Sequence, residues 1–168
     1  NLLRTGSRSQ GGSTITQQLA RVYFLSRERS FTRKAKELIL ALQIENEFSK
    51  EEILSLYMNK IFLGHRAYGV GAAAEVYYGK SAAQLSLAQC AMIAALPKAP
   101  SSYNPVANPQ RAKQRQMYVL RRMRELGYIT GDEFDSAAAA PIITRRVAET
   151  YGVRAEYVAE MVRQAVYE

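Results

Sequence analysis

The chain has 168 residues, of which 48% are hydrophobic and 23% are charged, a composition typical of one globular domain. Its net charge of +8 favours anionic partners, although charge alone does not distinguish nucleic acid, acidic lipid and pyrophosphate. A single histidine, His65, excludes a multi-histidine metal site and disfavours a Ser-His-Asp hydrolase. A single cysteine, Cys90, excludes an internal disulfide, and its apolar surroundings predict a buried thiol.

Helix signals recur along the chain without an alternating strand pattern, so the sequence predicts a mainly α fold. Several starts are marked by Ser or Thr followed three residues later by Glu or Gln, the spacing of a capping box. These pairs are Thr14–Gln17, Ser49–Glu52, Ser81–Gln84 and Thr130–Glu133. Asn108 and Pro109 mark another start, with an N-cap followed by proline. The glycine-rich segment 65–80 is predicted to mix a loop with a short helix.

The predicted helices end at polar, glycine or proline breaks. The first helix follows an entry segment over 1–12 and stops at the polar run 26–30. A long helix is predicted over 31–48. The ends of the later helices are predicted near Gly64, at Pro97 and Pro100, at Gly127 and before Pro141. We place one domain at 1–148 and a helical linker towards a following domain at 149–168. No apolar run approaches the roughly 20 residues of a membrane span.

Glu37 is the most informative single residue, because it heads an apolar stripe of the long predicted helix. Helical spacing gives it the same face as Ala41, Ile44 and Phe48. A carboxylate in that position is predicted to face the interior. Three cations within one turn, Arg33, Lys34 and Lys36, would keep it ionised. The alternative is an ordinary ion pair on the surface of a helix.

The block GGSTITQQ, residues 11–18, places two glycines just before a helix N-terminus. Free N–H groups and the helix dipole favour an anion there. Gln17 and Arg21 share a helix face, Gln18 lies beside them, and Arg29 and Arg33 follow. The pattern predicts a wall that binds phosphate or sugar. A Gly-Gly turn with an ordinary cap is the alternative.

Two further polar residues occupy apolar helix positions. Asn59 aligns with Leu56 and Leu63, which predicts a buried amide that holds backbone or a catalytic side chain. Arg115 lies at the edge of an apolar face and is predicted to pair with a buried carboxylate, that of Glu37 or Glu45.

Two basic stretches leave alternatives open. The basic run 111–124 is predicted to be a solvated helix face, with nucleic-acid binding as the alternative. The stretch 20–31 mixes aromatic, aliphatic and basic residues, and predicts a core segment or a membrane-surface contact equally well.

Four blocks carry a resemblance when they are read in order. They are GGSTITQQ (11–18), RKxxE (Arg33, Lys34, Glu37), YxNxxxxG (Tyr57, Asn59, Gly64) and RxxxVL (Arg115, Val119, Leu120). Together they resemble the signature of the peptidoglycan glycosyltransferases, glycosyltransferase family 51, found in class A penicillin-binding proteins. The linking text is most similar to the 1a type of Gram-negative bacteria. The family's first block, EDxxFxxHxG, is absent from this sequence.

The resemblance implies a lysozyme-like helical lobe beside a small membrane-associated jaw. It implies polymerisation of lipid II: a sugar hydroxyl attacks the anomeric carbon of the lipid-linked glycan with inversion, and undecaprenyl pyrophosphate leaves. It further implies a place on the periplasmic face of the bacterial inner membrane, with an anchor outside this sequence. A penicillin-sensitive transpeptidase in the parent, moenomycin-type inhibitors and cell-wall partner proteins are implied as well, and nucleic acid is not.

The resemblance also assigns roles to residues. The general base is the Glu of the absent first block, so the chain alone is expected to be inactive. Glu37 matches the second essential Glu, on the pyrophosphate side, which in some members holds a divalent cation, Mg or Mn; no organic cofactor is implied. Donor-site matches are Ser13, Gln17 and Gln18, with Lys36 as a nearby cation. Arg33 and Lys34 belong to the same cationic wall, to which spacing and charge add Arg21 and Arg29. Structural roles fall to Tyr57, Asn59, Gly64 and Arg115.

Two other functions stay open beside this one. A lysozyme-like lytic transglycosylase would also use carboxylates beside a sugar bond, but it needs no cationic wall for pyrophosphate. A non-catalytic module that binds anionic lipid would account only for the net positive charge.

Overall fold

The computed structural model describes residues 13–24 and 31–144. This part of the chain forms seven α-helices and two short 3₁₀ helices, and its only contact between extended segments is an isolated bridge of Phe62 with Tyr68. The α-helices are α1 (Ile15–Phe24), α2 (Phe31–Glu47), α3 (Lys50–Lys60), α4 (Val70–Tyr78), α5 (Leu87–Ala95), α6 (Pro109–Glu125) and α7 (Gly131–Ala139). The mainly α prediction is confirmed. The predicted entry segment, the polar break and the linker lie outside the described residues.

The predicted capping boxes are all present. At α1 the amide of Gln17 donates to Thr14 Oγ1 at 3.1 Å, and the amide of Thr14 donates to Gln17 Oε1 at 3.3 Å. The box at Ser81 opens only the 3₁₀ helix Ala82–Gln84, however. The prediction of one helix from there was wrong, because a second box at Ser86 and Gln89 starts α5.

α3 also ends earlier than predicted, at Lys60 rather than near Gly64. Ile61 is extended, and the chain then reverses through a tight turn in which Leu63 donates to the carbonyl of Ala67 at 2.9 Å. The sequence predicted that the helix ends at Gly64, but Gly64 belongs to the turn that follows the helix.

Two groups of helices make up the described structure. In the first, α1 packs on both α2 and α3 around an apolar cluster formed by Leu19, Ala20, Ile44, Ile53 and Tyr57. In the second, α6 packs on α5 and α7 around Ala88, Ala91, Leu120, Ile129 and Ala137. The 61–69 turn and α4 lie between them in sequence and share a third cluster with α5.

Cys90 is exposed, so the prediction of a buried thiol was wrong. The buried face of α5 runs through Ala88, Ala91, Met92 and Ala95, at i, i+3, i+4 and i+7. Cys90 lies two residues after Ala88 and therefore falls off that face.

Gly64 holds the turn against α4. Its φ of +87° lies in the left-handed region, and a Cβ there would come 2.8 Å from the Tyr77 hydroxyl. That hydroxyl donates to the carbonyl of Leu63 at 2.8 Å, and burial raises the pKa of Tyr77 to about 12. The predicted structural role of Gly64 agrees with this geometry.

We expect Gly64→Ala to lower the free energy of unfolding by about 1–3 kcal/mol, because it adds left-handed strain and displaces the Tyr77 hydroxyl. Gly71→Ala is the matched control, since Gly71 lies in α4 with nothing within 4 Å of an added Cβ. That change should be neutral or stabilise by up to about 1 kcal/mol. Denaturant unfolding of both variants measures the difference, and equal values would contradict the assignment.

Candidate active site

Glu37 lies at the centre of the candidate site, with 1% of its surface exposed. Its Oε1 atom is 2.7 Å from the Nζ atom of Lys34, one helical turn earlier, whose side chain is 51% exposed. The predicted inward-facing carboxylate beside a cation is confirmed. The pair is also an i,i+3 ion pair on one helix, but it differs from a surface pair because its carboxylate is out of water. Such a carboxylate depends on its partner, since an unpaired buried charge is costly.

Ser13, at the start of the described chain, completes the cluster from the side of α1. Lys34 Nζ donates to Ser13 Oγ at 2.8 Å, and Ser13 Oγ donates to Glu37 Oε1 at 3.4 Å. The ammonium group therefore contacts Glu37 on α2 and Ser13, two residues before α1. The other carboxylate atom, Glu37 Oε2, is buried and has no hydrogen-bond partner among the described residues.

Gln18 and Tyr57 extend the cluster towards α3. Gln18 Nε2 donates to the carbonyl of Ser13 at 3.3 Å, and the Tyr57 hydroxyl donates to Gln18 Oε1 at 3.4 Å. Burial raises the pKa of Tyr57, and the nearby charge of Arg21 opposes that rise. Residues of the blocks GGSTITQQ, RKxxE and YxNxxxxG thus meet at one place.

The other residues that were predicted to bind the donor differ in their exposure and contacts. Gln17 uses its side chain to cap α1, and Arg21 is exposed. Lys36 is exposed and forms no ion pair within the described ranges, so Lys34 is the cation that contacts Glu37.

The two remaining arginines of the predicted cationic wall give less information. Arg33 is half-buried. Arg29 lies outside the described residues, and its role stays a prediction.

The prediction of a buried Asn59 amide was wrong, because the side chain is exposed. The buried face of α3 passes through Ile53 and Tyr57, and Asn59 lies two residues beyond it. The backbone of Asn59 is what packs closely: a Cβ on Gly69 would come 2.7 Å from the Asn59 carbonyl oxygen. The sequence reading missed Gly69.

The predicted ion pair of Arg115 was also wrong. Glu37 is held by Lys34, and Glu45 is held by Lys50. Arg115 lies on α6, which packs on α5 and α7, and its guanidinium stacks 4.3 Å from the centre of the Tyr118 ring. Spacing within one helix does not predict an ion pair between residues of different helices.

The basic run 111–124 forms the solvated helix face that was predicted. Arg111, Arg121, Arg122 and Arg124 are all exposed. Lys113 and Arg115 are half-buried exceptions, and the Lys113 amine donates to the carbonyls of Ala138 and Ala140 at 2.8 and 2.9 Å, where α7 ends.

The divalent cation predicted at Glu37 stays a prediction. Within 13–24 and 31–144, no group of three His, Cys, Asp or Glu side chains could hold a metal ion. The contacts that the structure gives Glu37 Oε1 are the Lys34 ammonium and the Ser13 hydroxyl.

Comparison with known proteins gives consistent matches. A family model described as Transglycosylase matches residues 1–124. Penicillin-binding protein 1A of Pseudomonas aeruginosa is 54% identical over 162 residues, covering 96% of this chain and 20% of that protein. Its Escherichia coli namesake is 53% identical over 165 residues, covering 98% and 19%. The crystal structure of penicillin-binding protein 1A from Haemophilus influenzae superposes with a TM-score of 0.60 at 39% identity, covering 90% of this chain and 19% of that one. The chain spans about one fifth of the length of these relatives.

We expect Lys34→Met to lower the free energy of unfolding by about 1–3 kcal/mol, because it leaves the Glu37 carboxylate buried without its cation. Lys36→Met is the matched control on the same helix and should change the value by no more than about 0.5 kcal/mol. Adding Glu37→Gln to Lys34→Met should recover part of the loss, since the buried charge is removed. Denaturant unfolding measures all three, and equal effects of the two lysine changes would contradict the pairing.

Proposed function

Because this chain belongs to the transglycosylase family, we propose that it is the peptidoglycan glycosyltransferase domain of a longer protein of the penicillin-binding protein 1A type. In this proposal the enzyme polymerises lipid II into β-1,4-linked glycan and releases undecaprenyl pyrophosphate. A transpeptidase in the same protein, moenomycin-type inhibition and cell-wall partner proteins form part of the proposal.

The contact of Lys34 with Glu37 and Ser13 is the observation that carries the proposal. When the bond from the anomeric carbon to pyrophosphate breaks, negative charge builds up on the leaving group. A half-exposed ammonium held by a buried carboxylate offers fixed positive charge for it. The same ammonium contacts Ser13, two residues before α1, so it lies near the N-terminus of that helix, where the helix dipole favours an anion.

Glu37 serves this chemistry as the anchor of the cation. Its Oε1 accepts hydrogen bonds from Lys34 and Ser13, which suits holding an ammonium rather than removing a proton. Attack by a sugar hydroxyl also needs a general base. In the proposal that base is the Glu of the first family block, which this sequence lacks, so the isolated chain makes no glycan.

An exposed apolar surface on α2 supports a membrane-facing jaw. Phe31 is 98% exposed, and Leu38, Ile39 and Leu42 are 50–59% exposed on the same helix. Because the substrate carries an isoprenoid tail, such a surface suits an enzyme that works at the periplasmic face of the inner membrane. None of the described helices is long and apolar enough to span a bilayer.

We expect Glu37→Gln, made in the longer protein with its first block present, to lower lipid II polymerisation by about 100-fold or more, since the ammonium loses its charged anchor. Glu47→Gln is the matched control, because Glu47 is an exposed carboxylate on the same helix. Glycan chain formation from lipid II is the measurement. If Glu37→Gln leaves the rate of glycan formation unchanged, Glu37 has no part in the mechanism.

We expect the 168-residue chain with Leu38→Glu and Leu42→Glu to bind vesicles of anionic phospholipid about tenfold more weakly than the unchanged chain, because charged groups replace apolar side chains that would enter the bilayer on binding. Leu126→Glu with Tyr128→Glu is the matched control, since it adds the same charge at residues that are 58% and 75% exposed just after α6. Vesicle co-sedimentation gives the affinities. An equal loss from the control would show that general charge, and not the α2 surface, governs binding.

A further inference from the structure

A short hydrogen bond outside the predicted site joins α1 to the far end of α2. Thr16 Oγ1 donates to Glu45 Oε1 at 2.6 Å, and Thr16 is only 4% exposed. Lys50, the first residue of α3, lies 2.7 Å from the other carboxylate atom, Glu45 Oε2. The three residues thus tie the ends of three helices together. The sequence analysis named Glu45 only as an alternative partner of Arg115, and gave Thr16 and Lys50 no role of their own.

Two separated attachments determine how α1 lies on α2. One is the contact of Ser13 with Lys34 and Glu37, and the other is the bond from Thr16 to Glu45. Glu37 and Glu45 are eight residues apart, so the attachments on α2 are about 12 Å apart along its axis. A single attachment would act as a pivot, whereas two fix the direction of the first turn of α1. That turn carries Gln17 and Gln18, and Ser13 lies just before it; these residues match the family's donor site.

We propose that Thr16 and Glu45 are positioning residues that hold the first turn of α1 at the angle needed to bind the lipid-pyrophosphate donor. They act through Ser13, Gln17 and Gln18 and do not touch the substrate themselves. This inference rests on the proposed function and adds to it a determinant of donor affinity.

Packing alone does not account for this pair, in which a buried Thr16 meets a Glu45 whose side chain is 37% exposed. Thr16 shares a buried face with Leu19 and Ala20, where an apolar residue of similar shape would pack equally well. Glu45 lies in the last turn of α2, where the helix dipole disfavours a carboxylate. Hydrogen bonds from Lys50 and then Thr16 lower the pKa of Glu45, so the acceptor of the bond stays ionised.

A positioning role has a kinetic signature that a purely structural role lacks. The donor pyrophosphate is held by α1 both before and during the reaction, so a tilted α1 weakens ground state and transition state alike. Such a change raises KM and leaves kcat unchanged. A change that merely unfolds part of the protein lowers the active fraction, and so lowers kcat at constant KM.

The test uses the longer protein, with a short lipid-linked glycan pyrophosphate as donor at varied concentration and lipid II as acceptor. Thr16→Val should raise the KM for the donor about threefold to tenfold, with kcat within about twofold. Thr16→Ser keeps the hydroxyl and should behave as the wild type. Thr32→Val is the matched control, because Thr32 is exposed on α2, and it should change neither constant.

A variant of Glu45 gives a second, independent test, which is informative even if Thr16→Val does not fold. Glu45→Gln keeps a carbonyl acceptor but loses the charge, so the KM for the donor should rise about twofold to threefold. Glu47→Gln should have no effect. The double variant Thr16→Val with Glu45→Gln should be no worse than Thr16→Val alone, because both changes act on one bond.

The outcomes separate this inference from the proposed function. No polymerisation by the wild type would overturn both. Wild-type polymerisation with Thr16→Val indistinguishable from Thr32→Val, or with a lower kcat at constant KM, would overturn the positioning role alone.

Discussion

The burial of one carboxylate, that of Glu37, is the constraint on which the candidate site depends. A charge that is 1% exposed needs an opposite charge in contact, and helix geometry supplies Lys34 one turn earlier. The ammonium group is half-exposed, so it can satisfy the carboxylate and still face solvent. Ser13 is then held by the same ammonium, which links α2 to the residues just before α1.

The three N-terminal helices combine apolar packing with directional polar contacts. The cluster of Leu19, Ala20, Ile44, Ile53 and Tyr57 holds α1, α2 and α3 together without specifying a unique angle between them. Hydrogen bonds to Glu37, Glu45 and Gln18 add that specification, because each requires particular atoms within about 3.5 Å. Polar groups at such an interface are costly unless they are paired, so they favour the one arrangement that pairs them.

The later sequence blocks contribute through backbone geometry and local stacking. Gly64 and Gly69 have positive φ values and lie where a Cβ would meet the Tyr77 hydroxyl or the Asn59 carbonyl. Arg115 stacks on Tyr118 of its own helix, away from the carboxylates of α2. These residues shape the turn and the second helix group, whereas the described polar cluster is built by α1, α2 and Tyr57.

The sequence by itself determined the features that depend on neighbours within one helical turn. Capping boxes, the boundaries of α2 and α6, the inward face of Glu37 and its nearby cation all follow from spacing of three or four residues. The order of the blocks also identified the family. Only the tertiary structure decided which side chains of different helices meet. Thr16 contacts Glu45, and Gln18 contacts Tyr57. Arg115 stacks on Tyr118 and contacts neither of the carboxylates predicted for it. Those outcomes depend on how helices cross, which many residues far apart in the chain set together, so no local pattern encodes them.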